Sequence, residues 1–548
     1  MKTQFTKFVL VIMLVALSAC AKANTPIPIA TYAAATEAPM VENGNEALEP
    51  FIEAPAATQS APIATSPLSL PNGAPSTAEE PLLPTVVVPA PGNGLDNTFQ
   101  DYGVNPPVNT SRDNLSTFGL DVDTASYEIT RTYIDQGALP PMDAVRAEEF
   151  INAFDQGYAS PEGSAFTVYA DGGPSPFIDD ENYLVRFGVQ GYSVPDSERK
   201  PLNLTFVIDS SGSMADGDRL EMVKYALRLL VSELDERDTV TIVKFSTDAW
   251  MVLRPTNASD QRTIEKAIDS LYPMDSTNAD AGLQLGYRYA YRMLNPDAVN
   301  RVILCSDGVA NVGNVSVDSM LEYIREFADE GITLTGIGVG MGNYNDVLLE
   351  QLADNGDGNY YYINSRDEAR DLFVYNLTST MQVIGYDAKI QIDFNPEVVE
   401  EYRLIGYENR AIADEDFRDD SVDAGEVGAG MTAAALYEIK LKDGAQGRIA
   451  TAQLRWQDAD SLEVREISGD FFTTDLASAF KETSPYFQLA STVAAYAEIL
   501  RVSPYVQGSL ADVAKEADRI AILMMESKDA EDFSNLAWGT VDVDRYQH

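Results

Sequence analysis

Histidine is nearly missing from this 548-residue sequence, and the single one, His548, is the last residue. That removes Ser-His-Asp triads, cysteine nucleophiles paired with histidine, HExxH zinc sites and facial triads built on histidine. Cysteine is almost as scarce. Cys20 and Cys305 are the only two, too few for a disulfide framework or for a cysteine-held zinc or iron–sulfur centre. Positive charge is the third deficit: 38 lysines and arginines stand against 85 aspartates and glutamates, a formal net charge of −47. Such a chain is repelled by nucleic-acid phosphates and anionic headgroups, so cations, basic surfaces and metal-bridged contacts are the partners that fit. Long apolar runs are also lacking; Phe8–Leu17 is the longest and is too short to span a bilayer. What is present is ample core material, 45% hydrophobic and 9% aromatic residues, in a length that accommodates two to four domains at roughly 100–200 residues each.

Lys2 and Lys7 precede the apolar run and small residues follow it, the layout of a secretory signal peptide over 1–19. The segment Leu17-Ser18-Ala19-Cys20 resembles the bacterial lipobox. The resemblance implies cleavage before Cys20, lipidation of its thiol, and a protein held at the extracytoplasmic face by a lipid anchor only. Cleavage removes two lysines and no acids, so the mature charge is 36 − 85 = −49. Ala21 rather than Asp follows the cysteine, which in a two-membrane bacterium directs the protein to the outer membrane. From Ala21 to about Phe99, 13 of the 28 prolines are mixed with Ala, Thr, Ser and Asn. This predicts an extended tether, with the lipidated cysteine and tether together covering 20–105. At roughly 5–6 Å × √n, about 70 such residues reach about 45 Å.

The folded part divides into a segment over 106–198, a central domain over 199–380 and a C-terminal β-sheet plus helical domain over 381–548. In the first, Asp121 and Asp123 within Leu120–Ser126 are expected to cap a helix rather than to hold a metal. A second helix is expected after Pro140-Pro141-Met142-Asp143, with Val145, Phe150, Ile151 and Phe154 on one side. Short strands follow over 166–192.

Leu202–Ile208 is an apolar-rich run of the kind buried on both faces of a sheet. It ends in Asp209-Ser210-Ser211-Gly212-Ser213, and Leu220, Val223, Leu227, Val231 and Leu234 then recur at helical spacing. Strands at Thr239–Phe245, Trp250–Leu253, Arg301–Cys305, Ile332–Ile337 and Tyr360–Ile363 alternate with helical stretches. The predicted class is α/β, with a doubly wound, mostly parallel sheet. Such sheets bind ligands outside the carboxyl ends of their strands, where Asp209, Thr277 and Asp307 fall.

The pattern Asp209-x-Ser211-x-Ser213, with Thr277 and Asp307 following, resembles the metal-ion-dependent adhesion site of von Willebrand factor type A domains. The flanks resemble a bacterial family of cell-envelope proteins that carry this domain centrally. Ser116–Tyr127, Pro140–Phe150 and Ser503-Pro504-Tyr505 carry that likeness, which spans about 110–545. The family implies a Rossmann-like fold, Mg²⁺ or Mn²⁺ on the five residues, and a protein ligand that supplies an Asp or Glu carboxylate. Independently of the family, Mg²⁺ needs six oxygens near 2.1 Å. Three hydroxyls and two carboxylates leave the ion electron-poor, ready to take a partner carboxylate as its last ligand. No general base stands beside this pattern, so no catalytic residue and no enzyme activity is expected, and a metal-activated hydrolase is the weakest reading. A regulatory or assembly factor docking to an envelope complex is the alternative to adhesion.

Asp275 stands where relatives usually have glycine, and is expected to face solvent. Asp216 and Asp218 suit the start of a helix, and Cys305 is expected to be a buried apolar residue. Beyond Asp387, alternating runs at Ala388–Phe394, Glu401–Tyr407, Ala433–Leu441, Ile449–Trp456 and Val464–Phe472 predict an antiparallel sheet or sandwich, with the 166–192 strands as partners. Two helical stretches, about Leu476–Arg501 and Leu510–Met525, are expected to close the chain.

Overall fold

The computed structural model describes residues 26–31, 97–195, 197–274, 276–308, 316–340, 345–375 and 381–547. The signal peptide, Cys20, most of the expected tether and Asp275 lie outside these residues. In chain order the first elements are β1 (Ile27–Thr31), β2 (Val108–Asn109), β3 (Leu115–Gly119), α1 (Ala125–Asp135), α2 (Ala147–Asn152), β4 (Phe166–Gly173) and β5 (Asn182–Gly191). The central elements are β6 (Leu202–Asp209), α3 (Arg219–Glu233), β7 (Thr239–Phe245), β8 (Ala249–Asn257), α4 (Gln261–Asp269), α5 (Ala279–Arg292), β9 (Val299–Ser306), α6 (Val317–Asp329), β10 (Ile332–Val339), α7 (Asp346–Asp354), β11 (Tyr360–Ile363) and α8 (Arg366–Arg370). The last are β12 (Val383–Phe394), β13 (Val399–Ile405), β14 (Gly425–Gly428), β15 (Thr432–Leu441), β16 (Arg448–Asp458), β17 (Val464–Phe472), α9 (Pro485–Leu500), α10 (Leu510–Leu523) and α11 (Lys528–Gln547).

The central elements form one sheet in the order β11-β10-β9-β6-β7-β8, parallel except for the β7–β8 pair. Alternate residues of each strand point to opposite faces, and both faces are covered. Phe206, Ile208, Ile303 and Cys305 pack on α3 and α4, while Val207, Val302 and Leu304 pack toward α5, α6 and α7. Helices α4 to α7 start at side-chain caps supplied by Asp260, Asn278, Ser316 and Asn345. The expected class is therefore what forms, with each predicted central strand present.

The flanking segments build a second body together. One sheet runs β1-β4-β5-β15-β13-β2 and the other β14-β12-β16-β17, with β3 also on β12, and the pairs are antiparallel. Strands of 166–192 thus pair with β15, as their alternation anticipated. Val185, Phe187, Tyr437 and Trp456 lie in the core between the sheets. Leu184 and Leu436, one residue out of phase, face a helical layer with Phe150, Val493 and Ala497.

Three expectations are corrected. Residues 27–31 are an edge strand on β4, not tether: Ile27, Ile29 and Thr31 are β-branched, and an edge position tolerates Pro28. Residues near Phe99 also dock, since Phe99 packs against the core of the parallel-sheet domain, Thr98 bridges to Asn345 and Asn97 donates to the Tyr133 hydroxyl at 2.7 Å. A third helix, α11, follows the two expected. Its Gly539, Thr540 and Val541 are poor helix formers, but Ala530, Phe533, Ala537 and Val541 make a buried stripe that packing rewards over propensity.

The third correction concerns Asp121 and Asp123. The α1 N-cap is Thr124, and it makes no side-chain cap bond. Instead Arg410 pairs with Asp121 at 3.3 Å, Asp123 at 3.6 Å, Glu350 at 3.6 Å and Asp354 at 3.1 Å. Beside it Arg146 pairs with Glu149, with Asp346 at 2.6 Å and with Glu350 at 3.4 Å. These residues are drawn from the N-terminal segment, α7 and the loop after β13, so the lattice joins the parallel sheet to the sandwich. Burial, against the pull of Arg146, pushes Glu149 up to about 8, and burial pushes Glu350 up to about 7.

Removing one arm of a buried ion pair strands the other charge, at a cost of about 3–5 kcal/mol. Arg146→Ala is expected to lose stability of that order in denaturant unfolding; a loss below about 1 kcal/mol would contradict the role given to the lattice. Cys305 is buried, and burial raises its thiol to about 12. In protein beginning at residue 21 an alkylating reagent is expected to label Cys305 only after unfolding, which mass spectrometry of native and denatured samples checks.

Candidate functional site

β6 is the point where the sheet order turns: β7 lies on one side of it and β9 on the other. The strand ends on either side of that point diverge and leave a crevice at their carboxyl ends. Asp209 is the last residue of β6, opposite Phe245 of β7, and Ser306 is the last residue of β9. The Asp209 carboxylate is fully buried. Its Oδ1 accepts from the Ser211 N–H at 2.8 Å, and its Oδ2 accepts from the Ser306 hydroxyl at 2.7 Å. Sequence reasoning did not assign Ser306; its signal was its place immediately before Asp307.

Ser211, Gly212 and Ser213 turn away from the strand into a 3₁₀ segment. The Ser211 and Ser213 hydroxyl oxygens are 3.0 Å apart, and Ser213 Oγ donates to Asp307 Oδ1 at 3.0 Å. Adjacent ligands of an octahedron with 2.1 Å bonds are separated by about 3.0 Å. The two hydroxyls and Asp307 therefore already stand one octahedron edge apart, and the donor set is the hard oxygen kind that Mg²⁺ and Mn²⁺ take. The remaining predicted ligand is held less directly. The loop before Thr277 docks through the Met274 N–H, which donates to the Ser210 carbonyl at 2.6 Å. Thr277 itself is half-buried and makes no hydrogen bond to the other four among the described residues. Asn278, next to it, caps α5 by accepting from the Ala281 N–H.

Arg219, the first residue of α3, was also missed. Its Nη1 reaches Asp307 Oδ2 at 2.5 Å and the Ser213 carbonyl at 3.2 Å. The route requires glycine at 340: a Cβ there would run into the Arg219 side chain, and the backbone has φ +75°. Only the general electrostatics of the crevice hinted at such a partner. Burial, and then the neighbouring Asp307, pushes Asp209 up to about 6, and burial also raises Asp307. Two buried carboxylates with one guanidinium between them leave the crevice short of positive charge. Asp216 and Asp218 are exposed beyond this cluster; Asp218 is the α3 N-cap in a left-handed conformation without a side-chain bond.

Comparison with known proteins identifies the family of the chain. Residues 203–374 match the von Willebrand factor type A domain, 94–186 match a segment described as von Willebrand factor, and 379–537 match the C-terminal region of uncharacterized protein YfbK. Type A domains mediate protein–protein interaction. YfbK of Escherichia coli is 33% identical over 438 residues, 75% of each chain. Uncharacterized protein sll0103 of Synechocystis is 31% identical over 214 residues, 39% of this chain and 50% of that one. Among solved structures, a von Willebrand factor type A protein from Catenulispora acidiphila aligns with 69% of this chain and 90% of its own at 14% identity and a TM-score of 0.39. With a third of its residues shared with YfbK over three quarters of both lengths, the chain belongs to the YfbK family of bacterial von Willebrand factor type A proteins.

Proposed function

We propose that this chain is a cell-envelope lipoprotein that binds a partner protein through Mg²⁺ or Mn²⁺ held by Asp209, Ser211, Ser213, Thr277 and Asp307. The observation that carries the reading is the chain of oxygens from Ser211 to Ser213 to Asp307, each 3.0 Å from the next, in a crevice short of positive charge. When bound, the ion supplies an electrophilic position that a partner Asp or Glu carboxylate can fill. Asp209 and Asp307 supply the anionic charge, while the hydroxyls of Ser211, Ser213 and Thr277 add neutral ligands. Without the ion, a partner carboxylate would meet Asp209 and Asp307 as like charges, at a range where salt screens little. Arg219 partly offsets that repulsion and competes with the ion for Asp307.

Cys20 is the lipidated residue in this reading. β1 begins seven residues after it, and seven residues span at most about 25 Å. The folded body then stands close to the membrane, not about 45 Å away as a free tether would hold it.

Calorimetry is expected to lose one equivalent of bound Mg²⁺ in Asp209→Ala and to read tighter binding in Arg219→Ala, where the cation that competes for Asp307 is gone. A partner recovered from envelope extract in Mg²⁺ should be released by EDTA and should not bind Asp307→Ala; equal binding in EDTA would remove the adhesion mechanism. A fatty-acid analogue is expected to label the wild type and not Cys20→Ser.

A further inference from the structure

A second oxygen cluster lies far along the chain from the first, at the junction of the parallel sheet with the sandwich. Asp357 occupies the turn between α7 and β11, Asp423 precedes β14, and Glu426 is the second residue of β14. One carboxylate oxygen from each lies within 4.8 Å of the other two. Both supporting turns are tightly pressed. A Cβ on Gly358 would overlap the Leu334 carbonyl oxygen, and one on Gly425 would overlap that of Leu120. The Asn359 amide donates to the Glu426 carbonyl at 3.5 Å, joining the two turns directly.

Glu426 points to a ligand independently of the cluster's acidity. It is only 6% exposed, it lines a cavity of about 790 Å³, and its carboxylate has no hydrogen-bond or ion-pair partner among the described residues. A buried charged side chain without a partner is costly. Arg301 lies near enough to feel the Glu426 charge while donating to the hydroxyls of Thr333 and Thr335, and Arg325 lines the same cavity and acts on Asp423, but neither makes an ion pair with Glu426 among the described residues. Asp423 is exposed, so an ion can reach the cluster from solvent.

We propose that Asp357, Asp423 and Glu426 bind one Ca²⁺ that clamps the parallel-sheet layer to the β-sandwich. All three oxygens lie within 4.8 Å of one another, close enough to share one Ca²⁺ with bonds of about 2.4 Å. Ca²⁺ also accepts the irregular geometry of carboxylates from two separate turns, with water completing its six to eight ligands. This site is independent of the proposed adhesion site and uses none of its residues.

Equilibrium dialysis with Ca²⁺ alone, on the full mature chain carrying Asp209→Ala, separates the two sites. One Ca²⁺ per chain is expected to remain, and Ca²⁺ is expected to raise the melting temperature. Adding Glu426→Gln, or the exposed change Asp423→Asn, should weaken Ca²⁺ binding at least tenfold and abolish the thermal shift. In EDTA both variants should melt no lower than their parent, because each removes a repelling charge. Absence of Ca²⁺ binding by the Asp209→Ala chain up to about 10 mM, or undiminished binding by the Asp423→Asn variant, would overturn the proposal.

Discussion

Two guanidiniums, the buried Arg146 and the half-buried Arg410, are the contacts on which the rest of this molecule depends. Between them they pair with Asp121, Asp123, Glu149, Asp346, Glu350 and Asp354, contributed by stretches of chain more than 200 residues apart. Six carboxylates around two cations cannot all be ionised cheaply in a dry interior. Burial raises Glu149 and Glu350, which favours their protonated forms. The arrangement gives the N-terminal segment its purpose: the Asp-Val-Asp and Ala-Val-Arg stretches fasten α7 of the parallel sheet to the sandwich rather than forming a site of their own.

Scarcity of positive charge runs through the whole structure. With 38 basic residues against 85 acidic ones, several interior arginines serve more than one carboxylate. Arg403 takes Glu438 and Glu498, and Arg501 takes Glu408 and Glu498. Where the arginines run out, carboxylates remain clustered without enough compensation. Asp209 with Asp307 is one such place, and Asp357 with Asp423 and Glu426 is the other. The two differ in donor chemistry. The first mixes carboxylates with hydroxyls at about one octahedron edge, and the second is all carboxylate.

The parallel sheet was readable because its strands are apolar on both faces and its helices repeat at 3.6 residues, patterns that survive without long-range information. The strand Thr239–Phe245 and the strand Tyr360–Ile363 form over the residues their periodicity predicts. The errors arose where packing outweighed local preference. α11 carries a glycine and two β-branched residues at 539–541 yet is helical, because Phe533 and Ala537 reach the core beside α1. Ile27–Thr31 sits in a proline-rich stretch yet completes a sheet edge. Asp121 and Asp123 looked like helix caps because the arginine that claims them lies almost 290 residues away.

The sequence by itself determined the fold class of the centre and singled out Asp209, Ser211 and Ser213, since a strand end followed by Asp-x-Ser-x-Ser is a local pattern, while Thr277 and Asp307 joined them through the family resemblance. Tertiary structure alone decided which of them meet. Parallel pairing of β6 with β9 brings Asp209 beside Ser306 and Ser213 beside Asp307. It also sends Arg219 across Gly340 to Asp307, while Thr277 is held only through its docked loop. The charges that complete each cluster come from elements distant in the chain. Their positions follow from how the layers pack, which no local periodicity encodes.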